Sequence, residues 1–522
     1  MPDTNPRREA AVIEIGSTSI RMAVAHCDAD GSLRHIDDLD LPAGLGRDSF
    51  TDEAISAATT ERCVTAIRRY QQVLEEHGLG ADDVRVVATS AVREARNQDT
   101  FTDRVLIATG LRVQVLTESE VSRLTYLAVH PLLKEESFFR AGNTLVVEVG
   151  GGSTEILAFV KGRVKASVIN RLGSLRMQRE LGDYARGEHG MAAFEEYLAF
   201  PVAQMVGGLR IGGAAQMVAL GGEARLVRDT LFGGAAPAGK LMAIEVADIR
   251  GFIRDRLAWS VEDLAREHGI SEHQAETLLP ALAVYVALAE SLGETRILVG
   301  SASLRDGVLT EMFAGQIWER EFRRQTIHSA GELARKYRVD RKHAENVAAV
   351  AQQLLGFVSR TVRFDPRDET LLHAAALLHE VGLFVNTRSY HKHSFYLIAN
   401  SEIFGLDASE TALVACVARY HRRAAPRPTH EEFIDLPAAD RIRVSKLAAI
   451  LRVADALEFS HEHGKVALTF ETQHDDLAIR VHTRDDLTLV QRQMDARAGM
   501  FRTVFGLRVV LKAAQQDEIA GA

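Results

Sequence analysis

Along the first 300 residues, short β-branched apolar runs alternate with segments whose apolar positions recur every three or four residues. The first spacing is that of strands and the second that of amphipathic helices. From residue 11 the pattern predicts two strands, a third over 32–40, a helix over 52–77, a strand at 84–88, helices, a strand at 113–116 and a helix over 119–129. This βββαβαβ order starts again at residue 145, with strands over 145–149, 155–160 and 163–170, one at 218–220 and one at 296–299 before a helix near 304. After a charged helical connector at 317–324, residues 325–458 keep helical spacing almost throughout and are rich in histidine. That segment is expected to form a separate all-α domain. From Lys465 the period becomes two: Val466, Leu468 and Phe470, then Leu477, Ile479 and Val481, stand between polar residues. A helix over 490–505 and a strand over 507–511 complete a small ββαβ module.

The two β-rich repeats share residues as well as order. Val12-Ile13-Glu14-Ile15-Gly16-Ser17-Thr18-Ser19 returns as Val147-Glu148-Val149-Gly150-Gly151-Gly152-Ser153-Thr154. In each copy an apolar run carrying an acidic residue meets a Gly/Ser/Thr turn, and a second apolar run follows. This predicts a hairpin whose tip exposes backbone N–H and hydroxyl groups, a shape that cradles phosphate. Two such tips across one cleft imply a polyphosphorylated anion and a divalent cation as ligands.

Composition narrows the partners. A chain of 522 residues exceeds one hydrophobic core and predicts several domains. Hydrophobic residues at 46% and charged residues at 25% describe an ordinary globular protein. No apolar run approaches the roughly 18 residues that span a bilayer, and the polar start at residues 1–8 lacks a secretory signal. The expected compartment is the cytoplasm, with no membrane partner. Cys27, Cys63 and Cys416 are scattered and odd in number, as reduced thiols are. With 62 basic against 71 acidic residues the chain is net -9, which argues against nonspecific nucleic-acid binding but not against a local basic channel.

Five segments in order carry a resemblance: Ile15-Gly16-Ser17-Thr18-Ser19-Ile20-Arg21, residues 88–97 around Arg93, Val149-Gly150-Gly151-Gly152-Ser153-Thr154-Glu155, Leu172-Gly173-Ser174-Leu175-Arg176 and Ser303-Leu304-Arg305-Asp306-Gly307. Over nearly its whole length the chain resembles the exopolyphosphatase/guanosine pentaphosphatase (Ppx/GppA) family. The resemblance implies an α/β fold: a duplicated actin-like (sugar kinase/Hsp70/actin) ATPase fold with lobes at 1–130 and 131–315. An all-α HD-like domain at 316–460 and a small α+β module at 461–522 would follow. The implied activity is hydrolysis of terminal phosphate from inorganic polyphosphate, with guanosine pentaphosphate or tetraphosphate as further ligands. Mg²⁺ or Mn²⁺ is the implied cofactor, and a homodimer the implied assembly.

Transferred residue by residue, the resemblance places Ser17, Thr18, Ser19, Arg21, Arg93, Gly150, Gly151, Gly152, Ser153, Thr154, Ser174, Arg176, Gly221 and Gly222 against phosphate. Arginine forks donate paired hydrogen bonds to such oxygens. Glu14 and Glu148 are the expected cation ligands, where the family usually has aspartate. Glu155 matches a functional glutamate of the family. In Leu116-Thr117-Glu118-Ser119-Glu120-Val121-Ser122-Arg123-Leu124, however, the family's water-activating glutamate falls on Val121. Loss of a positioned base costs about 10²- to 10⁴-fold in rate, so turnover is expected to be slow unless Glu120 or Glu118 takes over, and a polyphosphate- or guanosine-phosphate-binding regulatory protein with weak turnover is the alternative. Thr18 and Glu223 also depart from the family. In the helical segment His343, His379-Glu380 and Asp455 resemble the HD pattern, and glutamate at 380 favours a domain without metal. His391, Lys392, His393, His421, Arg422 and Arg423 are expected to line a polyphosphate channel.

Overall fold

A computed structural model describes residues 9–28, 31–209, 211–234, 239–314, 316–458, 467–482 and 486–513. The polar start at 1–8 and the strand positions Lys465 and Val466 lie outside them. The chain divides into two compact units at residues 321 and 322.

The first unit is built on two mixed sheets. In one, β1 (Glu9–Ile15), β2 (Ser19–Cys27) and β3 (Leu33–Pro42) form an antiparallel meander, and β4 (Val84–Ala88) and β5 (Val113–Val115) add in parallel, giving the order β3-β2-β1-β4-β5. In the other, β6 (Asn143–Val149), β7 (Thr154–Val160) and β8 (Arg163–Asn170) repeat the meander. There β9 (Ala215–Leu220) lies parallel to β6, and the edge strand β10 (Met242–Glu245) runs antiparallel to β11 (Arg296–Val299). Four-residue β10 is too short to show a period of two, which is why the sequence pattern misses it.

Each sheet has its own apolar core. Alternating residues of β1 and β2, such as Ile13, Ile15, Ile20 and Met22, are fully buried beneath the helix Ala57–Glu76. Ser56 caps that helix, so the single helix expected over 52–77 is two, Leu45–Asp52 and Ala57–Glu76. The second sheet buries Leu145, Val147 and Met217 against the apolar helix Glu272–Ser291. The helix Leu304–Ala314 follows β11 yet packs on the helix Glu118–Leu133 and on β1, which brings residues from late in the chain to the first sheet.

The second unit is helical through Arg341–Val358, Asp368–Leu378, Tyr390–Ala399, Ala408–Arg419 and Ala438–Leu457. The connector expected at 317–324 lies inside the helix Gln316–Lys336. A sheet of β12 (Leu468–Gln473), β13 (Asp476–Val481) and β14 (Arg508–Ala513) follows, with the expected single helix broken into Thr488–Arg497 and Gly499–Phe505. Leu477, Ile479, Met494 and Phe501 join the same buried cluster as Leu354, Val414 and Leu447, so bundle and module share one core.

Candidate functional site

The two hairpin tips form equivalent turns. Gly16 N donates to Ser19 O at 3.0 Å, and Gly150 N donates to Ser153 O at 2.8 Å. The tips touch: a Cβ at Gly151 would stand 3.0 Å from the Cβ of Ser17. They open with the ends of β4 and β9 onto one cleft of about 890 Å³, its mouth included. Ser17, Thr18, Ser19, Gly150, Gly151 and Ser153 line it, as do Arg21, Arg93, Gly221 and Gly222. Glu14, Glu148 and Glu155 stand in the same walls, together with Val121 and Glu223.

Four residues expected against phosphate stand behind these walls. Arg176 donates from Nε to Gly152 O at 2.8 Å and from Nη2 to Glu94 at 2.6 Å, with its guanidinium 4.0 Å from the Phe50 ring. It grips the loop by its carbonyl and is a positioning residue. Ser174, fully buried, donates through N to Gly150 O at 2.9 Å, and Thr154 donates to Leu172 O at 2.5 Å. Gly152 faces Phe50 and Ser90 at distances that leave no room for a Cβ, and at Gly173 a Cβ would stand 2.3 Å from Gly151 O. Close backbone approach, for which glycine is needed, fixes the loop from behind.

Glu120 is a correction. Its Oε2 accepts from Thr117 N at 2.8 Å and from Thr117 Oγ1 at 2.9 Å, while Oε1 accepts from Gln114 at 3.0 Å. Thr117-x-x-Glu120 is a capping-box sequence, and the box claims the carboxylate. Successive residues turn about 100° around a helix, so Val121 faces the cleft and Glu120 does not line it.

In hairpin register Glu14 opposes Arg21, and Glu148 opposes Glu155. Like charges directly across a strand pair repel. Glu148 is half-buried by surface area but enclosed by the cleft walls; that burial, with the charges of Glu155 and Glu14, pushes its pKa up to about 8. Burial also raises Glu155 to about 7, against the hydroxyls of Ser122 and Thr125 and the charge of Arg93. Glu155 is 5% exposed; Oε2 accepts from Thr125 Oγ1 at 2.9 Å, and Oε1 has no hydrogen-bond partner among the described residues. A carboxyl poised near neutrality with one unpartnered oxygen suits a general base.

Arginines that pattern reading left out of the site complete the charge balance. Buried Arg305 donates to Glu14 Oε2 at 3.2 Å and to Asp38 at 3.3 Å. Arg225, one turn into the helix that starts at Gly222, is depressed in pKa by burial and by Arg21 and Arg305. Arg305 lies in a segment that carries the resemblance; Arg225 carries no local signal beyond its place after the Gly221-Gly222 turn. For a hard cation, Glu148 and Glu14 offer oxygen donors, and Glu148's surplus negative surroundings suit a positive ion. Among the described residues the cleft carboxylates do not form a three-ligand cluster.

In the helical unit, Lys392 and Arg423 are exposed, and His391, His393 and Arg422 partly so. Burial, then Arg422, Arg419, Arg423 and Lys392, lower His391 to about 4, so it is neutral at pH 7. His421 is a second correction: it is fully buried against His379, because the chain leaves the helix Ala408–Arg419 there and turns this one residue of a basic run inward. His343, His379, Glu380 and Asp455 come together in the same interior.

The family model described as Ppx/GppA phosphatase family matches residues 34–315, and that for Ppx/GppA phosphatase, domain III, matches residues 323–496. A guanosine-5'-triphosphate,3'-diphosphate pyrophosphatase of Aeromonas hydrophila subsp. hydrophila is 24% identical over 475 residues, 90% of this chain and 91% of the relative. The protein of that name from Pseudoalteromonas translucida is 24% identical over 446 residues, 85% and 86% of the two chains. Among solved structures, an exopolyphosphatase from Cytophaga hutchinsonii superposes with a TM-score of 0.53 at 18% identity, covering 59% of this chain and 98% of its own. That likeness is one of fold.

Proposed function

Since the chain belongs to the Ppx/GppA phosphatase family, we propose that it hydrolyses the terminal phosphoanhydride of inorganic polyphosphate or guanosine pentaphosphate, with Glu155 as the base that activates water. The observation that carries this reading is the buried, unpartnered Oε1 of Glu155, on a carboxyl raised to about 7, in the wall of the cleft that both hairpin tips line.

The N–H and hydroxyl groups of Ser17, Thr18, Gly151 and Ser153 hold the phosphate oxygens, and Arg21 and Arg93 neutralise their charge. Arg21 keeps its proton: burial opposes the charge, but Glu14, Asp40 and Glu223 outweigh it. Mg²⁺ held by Glu148 and Glu14 would withdraw charge from the phosphoryl oxygens. Glu155 Oε1 orients a water for in-line attack and accepts its proton as the P–O bond to the shortened chain breaks. Val121 presents no proton acceptor, so the task falls to Glu155.

The two sheets correspond to the lobes of an actin-like fold and the bundle to an HD-like domain, on which Lys392, Arg422 and Arg423 offer positive charge to a polyphosphate. The relatives named as guanosine pentaphosphate pyrophosphatases match across the helical unit as well, so both substrates belong in the assay. The test is phosphate release from each by the wild type and by Glu155→Gln in Mg²⁺. Val121 in the cleft wall supports a second reading, a polyphosphate-binding regulator of weak turnover. That reading predicts tight binding, no effect of Glu155→Gln on a residual rate, and a large gain in rate from Val121→Glu.

A further inference from the structure

With Glu155 as the base of the proposed reaction, we infer that Thr125 and Ser122 are its positioning residues, an assignment that rests on that reading. Their hydroxyls hold one side of the carboxylate and leave Oε1 as the oxygen that meets water. Both lie on the helix Glu118–Leu133, which packs on β7, the strand that carries Glu155. Each is 2% exposed. Thr125 Oγ1 donates to Glu155 Oε2 at 2.9 Å. Ser167 of β8 donates to Ser122 Oγ at 2.6 Å, which leaves the Ser122 proton to the Glu155 carboxyl that it faces.

The direction of the Thr125 hydroxyl is the telling feature. A threonine inside a helix readily gives its proton to the carbonyl four residues back. Thr60, Thr65, Thr109 and Thr230 all do so in this chain, at 2.8 to 2.9 Å. Four residues back from Thr125 is Val121, yet the Thr125 proton goes to Glu155. Residues four apart share a helix face, so the face that brings Val121 to the cleft brings a hydrogen-bond donor one turn later. At Val121 the helix supplies no base; at Ser122 and Thr125 it supports one on the neighbouring strand.

Such support matters because a carboxylate turns easily. The last torsion of a glutamate side chain is broad and nearly two-fold, so an unanchored carboxylate presents either oxygen over a range of angles. A base must hold its water within hydrogen-bond reach and in line, and a misplacement of about 1 Å costs on the order of 10²-fold in rate. With Oε2 anchored on Thr125, the unpartnered Oε1 is the oxygen left for water. A hydroxyl that only satisfied a buried carboxylate would change stability when removed. One that aims the carboxylate changes kcat at a constant KM.

The test follows phosphate release from long-chain polyphosphate by the whole chain in Mg²⁺, over a series of substrate concentrations. Thr125→Val, close in shape but without the donor, is expected to lower kcat about 10- to 100-fold with KM nearly unchanged. Thr125→Ser keeps the donor and should recover most of the rate. In a Glu155→Gln background Thr125→Val should add little, because two residues that act through one carboxylate are not additive. Circular dichroism confirms folding, and Ser122→Ala carries the kcat comparison and the Glu155→Gln cycle if Thr125→Val unfolds. Wild-type kcat in Thr125→Val, an equal loss in Thr125→Ser, or an undiminished further loss on Glu155→Gln would each overturn the positioning role, and a slow Glu155→Gln beside them would leave the base in place. A Glu155→Gln that turns over at the wild-type rate would overturn the base, and the positioning with it.

Discussion

The hairpins β1–β2 and β6–β7 have the same register and the same turn, yet opposite electrostatics. In the first, Glu14 faces Arg21 and is held by Arg305, so its charge is matched. In the second, Glu148 faces Glu155, and both carboxyls are raised toward neutrality. On the proposed reading, the matched pair makes the first hairpin a binding element, and the raised pair makes the second a proton acceptor. Like charges in register are a local cost, and they stand where the chemistry requires them.

The sharpest way to break this comparison is at Glu155. Glu155→Gln keeps the shape and removes the base, so the rate of phosphate release should fall about 10²- to 10⁴-fold with little change in KM. In the first hairpin, Arg21→Met should act on binding: KM for polyphosphate rises about 10- to 100-fold, the worth of a charge-assisted contact, while kcat changes less. Steady-state kinetics on the two variants would show whether the hairpins divide the work. If both variants lose kcat alike, the division fails.

Glu148 tests the same comparison through pH. An acid whose folded pKa exceeds its unfolded value destabilises the fold as pH rises between the two, because the folded chain then binds the extra proton. In EDTA the wild type should lose roughly 1–2 kcal/mol relative to Glu148→Gln as pH rises from the usual carboxylate range to about 8, discounted for the open cleft. Mg²⁺ should restore the wild type and leave the variant unmoved. Thermal melts across that range check the sign. The smallest effect is expected behind the loop, where Ser174→Ala removes a hydroxyl 3.3 Å from Gly150 O and should cost about 1 kcal/mol of stability with KM hardly altered.

Much of this was legible in the sequence because it is local. The repeated Glu-x-Gly/Ser/Thr turns, the β-branched runs around them and the glycines that meet in the cleft are short-range signals, whereas Val121 stands out only through the family resemblance. What was not legible depends on packing. The Arg305–Glu14 pair joins residues nearly 300 positions apart, and Arg176 turns its fork to a carbonyl because Phe50 and Glu94 hold it there. Glu120 has its capping box written in Thr117-Glu118-Ser119-Glu120, a local signal that holds its carboxylate at the helix start and away from the cleft. His421 points inward, and a basic run does not reveal which of its residues does so.

The most direct test of the central claim is the pH dependence of kcat/KM for terminal phosphate release at saturating Mg²⁺. A base must be ionised to accept a proton, so the account predicts a rate that climbs with pH to a plateau, with a midpoint of about 7. Glu155→Gln should leave a low rate without that limb. A wild-type profile flat from pH 5 to 8, or the same limb surviving in Glu155→Gln, would contradict it.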